Sequence, residues 1–361
     1  MSVVGGVECR GFRNLVDGLT PVADGVVVVH GSNGAGKTNL LEALYFGLTG
    51  RSFRAGNDRD MIRFGEQGAR VELDLSVSDS RLLSAIDRSG ERRHLIAGRP
   101  LAGSPEERPL VSVFHPDRLQ LVKGSPAHRR AHLDRLCGAV WPARADLRSR
   151  FGRTLAQRNA LVQRIRAGLG GAESLPSWDE RLAAEAVPLM EARSEAVEAL
   201  AGTFSELATG LGLPEAEISY RPRASGGREE LAVELARRRA EDLGRAYTSY
   251  GPQLDEVELR LGGRALRRFG SQGQQRIALL ALLFSERAAL MEAGRAAPLM
   301  LLDDVMSELD PGHRRLLVSL LESGGQAVIT ATESEHVPAA DAARIEVAGG
   351  TVSVAPALRA A

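Results

Sequence analysis

The chain has 361 residues, with 46 Lys plus Arg against 46 Asp plus Glu, 43% hydrophobic and 4% aromatic residues. At about 150 residues per domain this length predicts about two domains with a full core, and the composition excludes a disordered or fibrous protein. Zero net charge excludes a uniformly basic nucleic-acid binder but not a locally basic one, and the few aromatics exclude a surface built mainly of base-stacking platforms.

The first element is the buried β run V-V-V-V-H at 26–30, followed by the glycine-rich loop 31–38 and a helical spacing over 39–48. Residues 70–77 alternate like a half-buried strand, L-L-S-A-I-D-R-S and H-L-I-A-G continue the pattern, and 111–114 is a short strand. After Pro116 helix formers dominate over 128–167, with Leu147, Phe151, Leu155, Val162 and Ile165 at helical spacing. A breaker cluster at 168–177 precedes a second helical stretch carrying Val197, Leu200, Phe204, Leu207 and Leu211. The two predict a hairpin with its tip near Gly170, arms of about 30 Å at 1.5 Å per residue, and a kink at Pro188. A third helical stretch covers 229–246, and E-V-E-L-R-L at 256–261 returns to strand alternation. The last hundred residues bring a strongly apolar helix, the buried strand P-L-M-L-L-D-D-V, and the buried strand Q-A-V-I-T-A-T-E, which ends in polar residues. The predicted class is α/β: a head with a P-loop sheet and an antiparallel sheet, interrupted by an α-helical insertion with a short hairpin arm. Its halves are 1–114 and 253–361, the helical lobe is 115–252, and the expected location is the cytoplasm, with no membrane partner. Cys9 and Cys137 have no metal-ligand spacing and are expected as small core residues.

Gly31-Ser32-Asn33-Gly34-Ala35-Gly36-Lys37-Thr38 fits G-x-x-x-x-G-K-[ST] between a strand and a helix. Its glycines let backbone N–H groups turn inward toward phosphate oxygens, and the helix adds its positive end. Lys37 is placed to neutralise the β and γ phosphates of ATP, and the Thr38 hydroxyl to bind Mg²⁺. Lys37 and Lys123 are the only lysines, so the other 44 of the 46 basic residues are arginine, and one of the two lysines stands where a compact point charge is needed. At the end of another buried strand, Asp303 is placed to hold the Mg²⁺ shell and Asp304 to polarise the attacking water. Ser271, Gln272, Gly273 and Gln274 open an apolar helix and form a second anion-binding end, which one nucleotide does not need; the economical reading is that it closes over the nucleotide of a second copy.

The basic charge is local. Residues 115–170 hold twelve Arg or Lys against Asp117, Asp134 and Asp146, a sum of plus nine, which fits sequence-independent contacts to DNA phosphates. The candidates are Lys123, Arg129, Arg130, Arg148, Arg150, Arg153 and Arg158. The alternative is an arginine face paired with acids of the other arm such as Glu180, Glu185, Glu191 and Glu195.

The order of P-loop, helical insertion, S-Q-G-Q-Q, L-L-D-D and S-E-L-D at 307–310 resembles ABC-type ATPase heads of the SMC and Rad50 kind. Gly11-Phe-Arg-Asn14, Arg51-Ser-Phe-Arg54, Leu121-Val-Lys-Gly-Ser-Pro126 with Arg129-Arg130 and Leu133-Asp134, and Tyr247 to Pro252 are similar to the RecF family, over nearly the whole chain. That family usually follows Gly-Pro with His-Arg-Asp-Asp, whereas here Gly251-Pro252 is followed by Gln253-Leu254-Asp255-Glu256, so no role is carried to the first two positions. The resemblance implies an ATP-dependent DNA-binding repair protein and weak DNA-dependent ATPase that dimerises head to tail, with Ser271 meeting the partner's γ-phosphate and Asp310 in the D-loop. It also implies Mg²⁺, duplex and single-strand/duplex DNA, RecR- and RecO-type partners, and help to RecA loading at single-strand gaps. Q-loop and switch-loop equivalents are expected near 115–118 and 330–332. Other classes fit less of the chain. An ABC transporter subunit would have a signature beginning Leu-Ser-Gly-Gly and a membrane partner. An SMC-like structural DNA tether would have long coiled coils and a tip hook such as Cys-x-x-Cys, and a metabolic P-loop kinase would need only one phosphate cradle.

Overall fold

The computed structural model describes residues 4–76, 80–101 and 110–354. The described residues fall into two compact units, one from within 1–118, 210–212 and 290–361 and the other from 119–209 and 213–289.

The first unit is built on a six-stranded sheet in the spatial order Thr351–Val354, Ala343–Ala348, Val26–His30, Ala327–Ala331, Leu299–Leu302 and Val111–Phe114. All its pairings are parallel except that of the edge strand Thr351–Val354. Val27 to Val29, Leu299 to Leu302 and Ala327 to Thr330 are buried along their whole length, as strands apolar on both faces must be when a sheet is covered on both sides. The register sets Ala331 against His30, Ile329 against Leu302, and Leu302 against Phe114. Four strands therefore end on one edge, and the residues there, Gly31, His115, Thr330 and Asp303, come from four distant parts of the chain.

The second sheet of this unit is antiparallel, in the order Gly18–Pro21, Val4–Arg10, Gly68–Leu75, Ser80–Asp87, Arg92–Ile96 and Arg99–Pro100. Ala69, Val71, Leu73 and Leu75 alternate inward from Gly68–Leu75 into a core shared with Leu40, Leu41, Leu44 and Leu48 of the helix Lys37–Thr49. The two approach so closely at Gly47 that an added Cβ would lie 2.6 Å from the Leu73 side chain. The strand expected over 70–77 thus begins two residues earlier, and Val77 lies outside the described residues.

The second unit contains the helices Pro126–Val140, Leu147–Arg166 and Leu175–Gly210 and a three-stranded antiparallel sheet of Ala216–Arg221, Glu256–Leu261 and Arg264–Ala265. Arg150 meets Glu185 and Arg158 meets Asp179, so Leu147–Arg166 and Leu175–Gly210 run antiparallel as the expected hairpin. The second arm continues through Pro188 as one helix, although the missing N–H deletes one backbone bond. The third helical stretch is two helices, Arg228–Arg237 and Arg239–Arg245.

The boundary expected at 252/253 is not where the compact units divide, because 213–289, including the segment 271–275, belongs with the helical unit. The cause is pairing: Glu256–Leu261 hydrogen-bonds along its length to Ala216–Arg221, Glu256 binds Arg129 at 2.7 Å, and Asp255 binds Arg193 at 2.9 Å. Both cysteines are buried and free. Among the described residues no helix is long and apolar enough to cross a membrane.

Candidate nucleotide site

The loop after Val26–His30 can close because two of its residues lack a Cβ. Gly31 has φ 149° and an added Cβ would sit 2.1 Å from the Val347 carbonyl oxygen; Gly36 has φ 121° and an added Cβ would meet Asn14 Oδ1 at 2.9 Å. The helix Lys37–Thr49 starts directly after Gly36 with no side-chain cap. Its first-turn N–H groups have no partner within the helix and face an anion with the positive end of the dipole. Lys37 Nζ donates to the carbonyl oxygens of Gly31 and Ser32 at 2.7 and 3.0 Å, which holds the ammonium against the loop. Burial lowers the Lys37 pKa below the usual lysine value, while Asp304 and Asp303 pull it back up.

Asp303 lies across the loop. Its carboxylate accepts from the Thr38 hydroxyl at 2.9 and 3.1 Å and from the Thr330 hydroxyl at 2.8 Å, and is itself buried. The Asp304 side chain is exposed to the cleft, and its backbone is left-handed at φ 48°. His115 Nδ1 accepts from the Asp117 N–H at 3.2 Å, which puts the ring proton on Nε2, 3.5 Å from Asp303 Oδ2. Burial lowers the His115 pKa below the ordinary histidine value, against the pull of Asp303 and Asp117. Lys37, Thr38, Asp303, Asp304 and Thr330 line one cleft of about 320 Å³ together with Asn33, Gly34, Gly36 and Arg54. A larger cleft of about 370 Å³ on the antiparallel sheet is lined by Arg10, Arg70 and Arg93. Each of those arginines is bound by a neighbouring glutamate, so no cationic group converges there on a ligand.

The motif reading assigned no role to the residues that brace the loop. Asn14 Nδ2 donates to Ala35 O at 3.3 Å, Asn39 Nδ2 donates to Asn14 Oδ1 at 2.6 Å, and Arg54 donates to Asn39 Oδ1 and to Glu42. Glu42 is fully buried and also binds Arg13 at 2.8 Å and the Ser52 hydroxyl at 2.6 Å. Burial alone would raise the Glu42 pKa, but the bonds from Arg13, Arg54 and Ser52 outweigh it and hold it low. The sequence signal was a lone glutamate inside the apolar face Leu40-Leu41-Glu42-Ala43-Leu44, since a buried carboxylate requires cations around it.

Ser271 and Gln274 form a reciprocal cap at the start of Gln272–Glu292. The Ser271 Oγ accepts from the Gln274 N–H at 3.2 Å, and Gln274 Oε1 accepts from the Ser271 N–H at 2.8 Å. Ser271, Gln272 and Gly273 are exposed. Asp310 caps Pro311–Glu322 by accepting from the N–H groups of Gly312 and His313 at 2.8 and 3.0 Å, and those backbone bonds lower its pKa.

The chain is 36% identical over 343 residues to the DNA replication and repair protein RecF of Heliobacterium modesticaldum, which covers 91% of this chain and 92% of that one. The chain belongs to the RecF family. The RecF of Anaeromyxobacter dehalogenans is 38% identical over 96% of this chain and 98% of its own. A solved structure of the recombination mediator protein RecF with ATP, in the RecFOR pathway, superposes with a TM-score of 0.85 at 27% identity over 98% of each chain. The SMC head bound to the C-winged helix domain of ScpA matches with a TM-score of 0.60 at 18% identity over 99% of this chain and 98% of that one, a likeness of fold alone. Residues 7–102 match the model of the AAA domain. The fold is that of the ABC-type ATPase heads, as the motif order implied.

In this RecF-family chain two of the arginines expected at DNA are not on the surface. Arg158 is fully buried and binds Asp179 at 2.8 Å, Asp242 at 2.7 Å and the Thr248 hydroxyl at 2.7 Å; Arg129 is buried against Glu256. The reason is geometric: both point into the lobe where acids from other elements wait, and linear spacing shows only that they are basic. Arg130 is half-buried and donates to the Asp255 carbonyl oxygen, and Arg150 is held by Glu185 at 2.9 Å. Arg144 pairs with Glu195, so acids of the opposite arm take part of the positive face. Lys123, Arg148 and Arg153 are exposed, although Arg148 Nε also lies 3.6 Å from Asp134. At the departure from the RecF pattern, Gln253 donates to the carbonyl oxygens of Thr248 and Tyr250, while Asp255 and Glu256 hold Arg193 and Arg129.

Proposed function

We propose that this RecF-family protein binds and slowly hydrolyses ATP, and that its nucleotide state controls a head-to-tail dimer that clamps DNA in recombinational repair and replication restart. The observation that carries the reading is the convergence of Lys37, Thr38, Asp303 and Asp304 on one cleft beside an uncapped helix N-terminus. The P-loop N–H groups and Lys37 bind the phosphates. Thr38 and Asp303 are hard oxygen donors 2.9 Å apart, close to the spacing of neighbouring oxygens around an octahedral cation with bonds of about 2.1 Å, and so suit Mg²⁺. When bound, Mg²⁺ neutralises charge on the β and γ phosphates. Asp304 takes a proton from the attacking water as its oxygen bonds to the γ-phosphorus and the bridging P–O bond breaks, which leaves ADP and phosphate.

Ser271 of a second copy closes on the γ-phosphate. Its Oγ keeps a hydroxyl proton to donate, because the cap uses only a lone pair. Closure brings two exposed sets of Lys123, Arg148 and Arg153 to one DNA and raises the effective concentration of the second. The DNA is duplex or a single-strand/duplex junction, held through its backbone. RecR- and RecO-type proteins are the partners, RecA loading at single-strand gaps is the outcome, and the setting is the cytoplasm.

The test is sedimentation with and without a non-hydrolysable ATP analogue, repeated with duplex and single-stranded DNA. The expected result is an analogue-dependent dimer that retains DNA, and its loss in Ser271→Arg, whose monomer still binds the analogue. A monomer that no longer binds it would place Ser271 beside its own nucleotide and overturn the two-copy site.

A further inference from the structure

We propose that Thr330 is a positioning residue for ATP hydrolysis, one hydroxyl that holds both the Asp303 carboxylate and the backbone of Asp304. The inference rests on reading the cleft as the hydrolytic site. Thr330 is the penultimate residue of Ala327–Ala331, a strand lying between the two that supply the P-loop and the aspartates, and it is fully buried. A threonine hydroxyl has one proton to donate and lone pairs to accept with. Here it donates to Asp303 Oδ1 at 2.8 Å and accepts the Asp304 N–H at 2.8 Å.

The second bond matters because of the conformation it holds. Asp304 has φ 48°, a region that residues with a Cβ avoid and that persists only when the surroundings enforce it. In an extended strand Asp304 would follow the alternation of Leu299–Leu302; the left-handed turn redirects its side chain into the cleft, where it lines the wall with Lys37. Ser307 Oγ also donates to the Asp304 carbonyl oxygen at 2.9 Å, so the turn is held at both ends, and the Thr330 hydroxyl ties it to the Asp303 carboxylate. Asp303 in turn shares its Oδ1 between Thr330 and Thr38. The same hydroxyl therefore sets the aim of the general base and the orientation of the carboxylate paired with Thr38. Loss of it lets Asp304 relax toward the extended region and Asp303 rotate, while the P-loop stays in place.

Thr330→Val keeps the shape and removes both bonds; Thr330→Ser restores them without the methyl group. The measurements are kcat and KM for ATP, the Kd of a non-hydrolysable analogue in EDTA and in Mg²⁺, and the thermal melt. For Thr330→Val, kcat should fall about tenfold or more, with the EDTA Kd within about twofold and KM rising only as far as the Mg²⁺-dependent gain in affinity is reduced. Thr330→Ser should recover kcat to within about threefold of the parent. Thr330→Cys, similar in size with a weak donor, should show the same loss of kcat and serves if the Val variant has no cooperative melt. A Val variant with parental kcat, or a Ser variant as slow as Val, overturns the proposal, the latter because the methyl contact rather than the hydroxyl would then be what counts. Lys37→Met run alongside separates the two levels. If it binds the analogue as the parent does, the reading of the cleft fails; if it does not and Thr330→Val is fully active, only the role of Thr330 fails.

Discussion

The nucleotide cleft and the arginine-rich hairpin were both marked by residue type, yet they fold by different rules. In the cleft three of the side chains, Asp303, His115 and Thr330, sit at or beside strand ends and follow from the sheet register once the strands are recognised, and Lys37 and Thr38 open the helix after the P-loop. In the hairpin, charge alone gives no direction, since Arg153 and Arg158 differ by five positions and one is exposed while the other is fully buried with Asp179 and Asp242. Chemistry tied to a turn between regular elements is legible from sequence, whereas chemistry tied to a helix face waits for the partner of that face.

The sharpest way to break this contrast is Arg158→Ala beside Arg153→Ala. Removing Arg158 leaves the buried Asp242 carboxylate without its cation and Asp179 with Arg239 at 2.6 Å, and should cost about 3–5 kcal/mol in denaturant unfolding of the protein, against at most about 0.5 kcal/mol for Arg153. Equal effects would mean that burial does not distinguish them. Asp304→Asn comes next: hydrolysis should fall about a hundredfold or more with analogue binding and the closed dimer retained, because only the base is removed. An unchanged rate would place the base elsewhere.

Glu42→Gln probes the brace behind the loop. Arg13 and Arg54 are partly exposed, so its loss should cost about 2 kcal/mol at pH 7, less than a fully buried pair. The Glu42 pKa is held below the ordinary 4.5, so the carboxylate stabilises the fold above that value and the contribution is lost as the pH falls through the folded pKa. The gap between parent and variant in chemical unfolding should therefore narrow below pH 4.5; a constant gap down to pH 3 would show that ionisation of Glu42 is not what holds the brace. The smallest effect belongs to the exposed cations. Neutralising Lys123, Arg148 and Arg153 together should reduce the slope of log K for DNA against log salt by about 2–3, at 0.7–0.9 per contact, and leave the analogue-dependent dimer intact. An unchanged slope would make the whole arm an ion-paired surface.

Sequence by itself determined the P-loop with its strand and helix, the buried strand ending in Asp303 and Asp304, and the antiparallel hairpin, because glycine placement, strand burial and helical periodicity are local properties. Only the tertiary structure decided that 253–289 belongs with the helical unit, that Arg129 and Arg158 are internal counter-ions, and that Thr330 joins the two aspartates. Each of these depends on which element lies across from another, and a hydrogen bond or buried ion pair between residues as far apart as 129 and 256 leaves no periodic trace in either segment.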